Sequence, residues 1–292
     1  MAKANALSLR PDPGGAPVAL EIARRSHPGQ VRTKNEDSVR TAPAIGLALL
    51  ADGLGGYSAG EVASDMATSL LHRTLTNDLS GSQIGKTLRV DDLHNLLRRR
   101  IAEVNEAIHR RATSRPELAG MATTLVLVLF SGRYITFAHV GDSRLYRLRG
   151  TELTRITRDH SLLQEQIDAG ILRPDDAPFF PERNLVTRAL GAEAEVIVDI
   201  AGHEVMPGDL YLMCSDGLTE MLSDAEIRAA LIEDRRDLEI AAERLLGRAN
   251  ARGGLDNISL ILIGVHEAPA AAPGLIDRLA DRFRTRVRAW QS

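Results

Sequence analysis

The 292-residue sequence contains a single cysteine, few aromatics (3%) and no long apolar run. Each shortage removes a class of answer. One cysteine, Cys214, excludes an internal disulfide and a multi-cysteine zinc site, and beside Leu212 and Met213 it reads as an inert core position. The longest apolar runs, such as Leu125 to Phe130, fall far short of the roughly 20 residues that cross a bilayer. The first 20 residues carry Lys3 and Arg10 but no apolar segment of the secretory type, so a cytoplasmic location is expected. A net charge of −3 leaves no basic footprint, and scarce aromatics leave no row of stacking platforms. Nucleic acid is therefore not the expected partner. What remains, 44% hydrophobic and 26% charged residues, is an ordinary globular composition able to bury a large core.

Pro11, Pro13, Gly14, Gly15 and Pro17 break helix and strand alike, so residues 1–19 are expected to form a flexible leader, with folding proper beginning near Val18. Leu47 to Ala51 is a continuous apolar run that stops at Asp52-Gly53, the pattern of a strand buried on both faces. Helical spacing follows near 60–75 and again near 92–111, where Leu93, Leu97, Ile101, Val104 and Ile108 share one stripe. Strand-like runs at 123–131 and 134–140 flank Ser131-Gly132-Arg133, which predicts a hairpin, and a third run covers 144–148. Such short links make antiparallel sheets. From 159 to 188 the pattern loosens around Gly170, Pro174, Pro178 and Pro181, so a surface flap is expected at about 162–185. An apolar strand at 209–215 then stops at Asp216-Gly217. Two helices follow, the first opened by a capping box at Ser223-Asp224-Ala225-Glu226, and a last strand at 258–265 begins after Asp256-Asn257. The expectation is one α+β domain over 18–267, two mainly antiparallel sheets flanked by helix pairs.

Five places put a carboxylate at a turn or a strand end: Glu36-Asp37, Asp52-Gly53, Gly141-Asp142, Asp216-Gly217 and Asp256-Asn257. Each alone is an ordinary turn, because Asp and Asn bond their own backbone and tolerate left-handed conformations. Together they say more. Three abut strongly apolar strands, where an unpaired charge costs several kcal/mol unless a cation meets it. Carboxylates and carbonyls suit hard cations. No EF-hand loop is present, and His27, His139 and His160 stand apart in sequence, so magnesium or manganese is favoured over calcium or zinc. Arg32, shortly before Asp37, could neutralise these carboxylates or receive a phosphate through its planar fork.

These motifs, in this order, resemble the metal-dependent serine/threonine protein phosphatases of type 2C, the PPM family, in its bacterial form. The match spans nearly the whole domain. It runs through 32–37, Ala51-Asp52-Gly53-Leu54-Gly55-Gly56, Ala122-Thr123-Thr124, Val140-Gly141-Asp142-Ser143-Arg144 and Thr157-Arg158-Asp159-His160-Ser161. It continues through Thr187-Arg188-Ala189-Leu190-Gly191, Cys214-Ser215-Asp216-Gly217-Leu218 and Gly254-Leu255-Asp256-Asn257-Ile258. The resemblance implies a four-layer αββα sandwich and hydrolysis of phosphoserine and phosphothreonine by a hydroxide bridging two Mn2+ or Mg2+ ions, with a third ion in bacterial members. Asp52 resembles the bridging carboxylate, Gly53 the carbonyl ligand, and Asp216 and Asp256 the remaining direct ligands. Glu36 and Asp37 match positions acting through water, Asp142 a third-metal ligand, and Arg32 the phosphate-binding arginine. Phosphorylated proteins and a cognate kinase are the implied partners.

Leu54 and Tyr57 stand where many eukaryotic and many bacterial members, respectively, carry histidine. The proton donor is thus open among a metal-bound water, Tyr57 and His160. Ala122 replaces a usual glycine. Beyond the domain, 268–292 reads as a linker and a basic amphipathic helix, with Leu275, Ile276, Leu279, Phe283, Val287 and Trp290 on one stripe. That helix suits a partner, an anionic membrane surface or its own domain. The competing readings are a non-catalytic phosphoprotein-binding module, opposed by the intact aspartates, and a metal-dependent nuclease, opposed by the lack of a basic groove.

Overall fold

The computed structural model describes residues 18–55, 59–80 and 89–267. Strand periodicity decides which way each side chain faces. In β3 (Leu47–Leu54), Leu47, Leu49 and Ala51 join one buried cluster, while Ala48 and Leu50 join another. The first cluster is completed by α1 (Ala59–Ser80) and α2 (Val90–Ser114), through Leu71, Leu75, Leu97, Ile101 and Ile108. The second lies between the sheets, where Ala48 and Leu50 share a core with Tyr211, Met213, Ile261 and Ile263. A third cluster sits on the outer face of the second sheet, where Leu212, Cys214, Leu260 and Leu262 are covered by Ile227, Leu231, Ala241 and Leu245. Three cores between four layers make the expected αββα sandwich.

One sheet runs β2 (Asp37–Ala42), β3, β5 (Leu125–Ser131), β6 (Tyr134–Val140), β9 (Asp199–Glu204), with the short β4 (Ala122–Thr123) pairing the end of β3. The other runs β1 (Val18–His27), β11 (Ile258–Glu267), β10 (Leu210–Cys214), β7 (Arg144–Arg149), β8 (Glu152–Arg155). Every pairing in these two orders is antiparallel. Ser131 pairs with Tyr134, which leaves the expected two-residue hairpin, with Gly132 at φ 57. After β10 come α4 (Asp216–Thr219), α5 (Asp224–Glu233) and α6 (Leu238–Ala251), and the capping box at Ser223 and Glu226 is formed.

Several elements differ from the sequence expectation. Val18 and Ala19, where the expected leader and domain overlap, belong to β1 and pair with Glu267 and His266. The rest of the leader and the amphipathic segment after Glu267 lie outside the described residues. The run from Thr123 to Ser131 is broken at Thr124, because β4 pairs with β3 while β5 takes up the ladder with β6. The flap carries an α-helix, α3 (Leu162–Asp168), capped by Ser161, and a 3-10 helix at Pro174–Phe179. It is pinned at its base by a Ser161–Val186 bridge and by the Leu162 amide donating to the Leu185 carbonyl at 2.9 Å. No helix among the described residues is long and apolar enough to cross a membrane.

Candidate metal centre

Strand ends from both sheets deliver carboxylates to one end of the sandwich. β2 opens on Asp37, and its register pairs that residue with Asp52 near the end of β3. From the opposite sheet, β10 passes through Ser215 to Asp216 at the start of α4, and Asp256-Asn257 precede β11. Asp142 comes from the turn between β6 and β7. There Gly141 sits at φ 103, and a Cβ would strike Thr124 at 2.6 Å, so only glycine makes the turn. Gly53 serves a different need: a Cβ on it would lie 2.3 Å from the Gly60 carbonyl oxygen, and its amide donates to the Glu36 carbonyl at 3.1 Å. Glycines at 53 and 60 thus let the end of β3, the start of α1 and the Glu36 loop touch.

Crowding raises the proton affinity of these groups. Burial pushes Asp37 up to about 6, and burial with the Asp256 charge pushes Asp216 up to about 6. Burial and the Asp216 charge lift Asp142 to about 8. For Asp52, burial and then the charges of Asp37, Asp216 and Asp142 hold the carboxyl well above its ordinary range. Asp37 Oδ2 accepts from the Ser215 hydroxyl at 2.9 Å, yet its Oδ1 is buried without a partner. An orphaned carboxylate oxygen in a group of mutually repelling carboxylates is what a cation satisfies, directly or through a water it holds, and an all-oxygen donor set fits magnesium or manganese.

Arg32 reaches this cluster: its Nη2 lies 2.8 Å from Asp256 Oδ2, while 58% of its side chain stays exposed. Its loop is fastened by Asn257, whose side chain accepts from the Glu36 amide at 2.7 Å and donates to the Lys34 and Pro28 carbonyls at 2.8 and 3.1 Å. Sequence reasoning placed Asn257 in a motif without giving it this work. It gave none to Ser215 either, nor to Thr123 and Thr124, whose hydroxyls meet the Asp52 carbonyl and amide at 2.8 and 2.9 Å. Nothing local in the sequence marks such long-range contacts.

Tyr57 lies outside the described residues. His160 is placed beside the Gly141 turn, with Nδ1 accepting from the Gly141 amide at 3.0 Å and Nε2 facing Asp199 Oδ2 at 3.3 Å and Arg188 Nη1 at 2.9 Å. Both ring nitrogens are therefore engaged within the protein. His27 has a structural role, accepting from the Gly29 amide at 3.0 Å. His139 and His160 do not stand apart as the sequence suggested. Their ring centroids are 4.6 Å apart, and with Asp199 they bring ligand atoms within 4.8 Å of one another. The trio is poorly suited to a metal, because the Arg188 guanidinium already occupies it and the Gly141 contact forces the ring hydrogen onto Nε2.

A four-layer αββα sandwich with an acidic divalent-cation cradle at its strand ends is the class that fold and site define. The family model described as Protein phosphatase 2C matches residues 27–246, and the chain belongs to this family of metal-dependent phosphatases. It is 38% identical over 248 residues to the serine/threonine protein phosphatase PstP of Mycobacterium tuberculosis, covering 85% of this chain but only 45% of that protein. It is 36% identical over 242 residues to the serine/threonine phosphatase stp of Listeria welshimeri, covering 82% of this chain and 93% of that one. Among solved structures, the crystal structure of the M. tuberculosis serine/threonine phosphatase PstP/Ppp superposes with a TM-score of 0.75 at 38% identity, over 85% of this chain and 99% of that chain. The catalytic domain of PstP in complex with two manganese ions gives a TM-score of 0.73 at 36% identity, over 85% and 99% of the two chains.

Proposed function

We propose that this chain is a serine/threonine protein phosphatase that hydrolyses phosphoserine and phosphothreonine in proteins with the help of two Mn2+ or Mg2+ ions and a third, weaker one. The observation that carries the reading is the half-buried carboxylate cluster itself, with its raised proton affinities and the unpartnered Asp37 Oδ1. Asp52, Asp216 and Asp256 supply direct oxygen ligands, the Gly53 carbonyl another, and Asp142 serves the third ion. Glu36 and Asp37 order water around the pair. When bound, two such cations lower the pKa of water and neutralise charge on the phosphoryl oxygens. Arg32 receives the phosphate through its exposed fork and fixes the phosphorus for in-line attack. With Leu54 two residues after Asp52 and the His160 ring engaged within the protein, a water in the cation site is the favoured proton donor to the leaving serine or threonine oxygen, with Tyr57 the alternative.

The substrates are phosphorylated proteins, and a cognate serine/threonine kinase in the same cytoplasm supplies them. The catalytic unit is 18–267, with the flap at 162–185 as the substrate selector, and 268–292 serves a partner, an anionic membrane surface or the domain itself. A phosphothreonine peptide offered to the full chain tests the central claim. Phosphate release should need Mn2+ or Mg2+, stop in EDTA and be lost in Asp216→Ala. Release that survives EDTA, or is undiminished in that variant, overturns it.

A further inference from the structure

His160 grips the Gly141–Asp142 turn twice. Its backbone N–H donates to the Gly141 carbonyl at 2.8 Å, and the Gly141 N–H donates to its ring Nδ1 at 3.0 Å. The second bond exists only while Nδ1 keeps its lone pair. Burial, reinforced by the Arg188 charge, holds the His160 pKa below its ordinary value, so the ring is neutral and carries one hydrogen, on Nε2. That hydrogen faces Asp199 Oδ2 at 3.3 Å. Arg188 Nη1 stands 2.9 Å from the same nitrogen, and two hydrogens aimed at each other repel. The guanidinium has acceptors of its own in Asp199 Oδ1 at 3.2 Å and the Ile197 carbonyl at 3.3 Å.

Removal of Asp199 would reverse the arrangement. Nε2 would lose its acceptor, Arg188 would lose its counter-ion, and the guanidinium would find its best remaining acceptor in a bare Nε2. The ring hydrogen would then move to Nδ1 and confront the Gly141 N–H. A buried backbone amide without an acceptor is rarely tolerated, so the turn would shift. We propose that Asp199, on edge strand β9, is a positioning residue for Asp142: by accepting the Nε2 hydrogen and holding Arg188, it fixes the His160 tautomer that ties down the Gly141–Asp142 turn. The aspartate lies outside the carboxylate cluster, 55% of its side chain is exposed, and it acts through two other residues. The same ion pair joins the base of the flap to the sheet edge, because Thr187, next to Arg188, donates its amide to the His160 carbonyl at 2.9 Å.

The inference rests on the reading of Asp142 as a carboxylate for the third ion, and the experiment separates the two. Long-range 1H–15N spectra of the 15N-histidine-labelled magnesium form should show the Nε2–H tautomer at His160 in the wild type and Nδ1–H in Asp199→Ala. The Mn2+ concentration for half-maximal phosphopeptide hydrolysis should rise about tenfold in that variant, the lower end of what residues behind a metal ligand contribute. Asp199→Asn, which keeps an acceptor for Nε2–H, should recover most of both properties. An unchanged tautomer, or an unchanged Mn2+ requirement, in Asp199→Ala overturns the proposal. Asp142→Ala is the control: if it leaves the Mn2+ requirement untouched, the reading of Asp142 falls, and the ring tautomer still decides whether Asp199 governs the turn.

Discussion

Strand β10 has an aspartate at each approach, Asp209 buried and Asp216 half-buried, and the two are housed in opposite ways. At its start, both oxygens of Asp209 are taken by the Arg149 fork at 2.8 and 2.7 Å, and the Met206 amide adds a third bond at 2.9 Å. Burial alone would lift this carboxyl, but the Arg149 fork and the Met206 amide outweigh it and hold the pKa below its ordinary value. Beyond the other end, Asp216 meets Asp256, Asp52 and Asp37 instead, and its pKa is pushed up to about 6. Residue type and strand are the same. The difference is that one end has its cation built in as a side chain, whereas the other, on the proposed reading, is completed by cations from solution.

The strongest way to break the comparison is Asp216→Ala. Phosphopeptide hydrolysis at saturating Mn2+ should fall by about 10³-fold or more, while the metal-free protein melts at an equal or higher temperature because a like charge has gone. Lower activity with a lower melting temperature in EDTA would contradict the idea that this end is strained without metal. Arg32→Ala should cost about 100-fold in kcat/KM, carried in large part by KM, since a bidentate phosphate contact is lost while the carboxylates remain. Asp209→Ala should do the converse of the Asp216 substitution. It leaves a partly buried guanidinium without its partner and should destabilise by about 2–3 kcal/mol, roughly 5–10 °C in melting temperature, with kcat unchanged. An activity loss there larger than the stability loss would mean that the two ends are coupled.

What made the Asp216 end legible was its local form. Asp52 and Asp216 each follow an apolar strand and precede glycine, so a charge at a core edge announced itself within six residues of sequence. The strands bearing them, β3 and β10, were legible for the same reason. β2 was not, because all six of its residues are half-buried and show no alternation. β9 at the sheet edge, Asp199–Glu204, mixes Asp, Gly, His and Glu with two apolar residues, as exposed edges do. Partnerships between distant segments were also silent. Nothing near Asn257 in the chain says that its carboxamide will bind Pro28, Lys34 and Glu36. Nothing near His139 says that the His160 ring will lie against it. Local patterns report burial and turns, whereas contacts across sheets depend on register and layer packing that no short window contains.

The smallest expected effect, and the most direct on the contrast, is the pH dependence of stability without metal. A carboxyl whose pKa is higher folded than unfolded holds its proton more tightly in the folded state, so it opposes folding at high pH and the penalty fades as pH falls through the folded value. Asp142 at about 8, with Asp37 and Asp216 at about 6, sets that window between about pH 8 and pH 4. Asp209 has the opposite sign. Its folded pKa lies below the ordinary 3.8, so its contribution is present above that value and is lost as pH falls through the folded one. In EDTA the melting temperature should therefore rise by about 5 °C or more between pH 8 and pH 5 and turn down below about pH 4. Saturating Mn2+ should add most at pH 8 and least at pH 5, because bound cations replace the protons and are released by them. Asp216→Asn should shrink the rise in EDTA and leave the acid limb alone, and Asp209→Asn should do the reverse. A flat profile in EDTA from pH 8 to pH 5 would mean that the carboxylate end of β10 is as well neutralised as the arginine end, and the distinction between them would be lost.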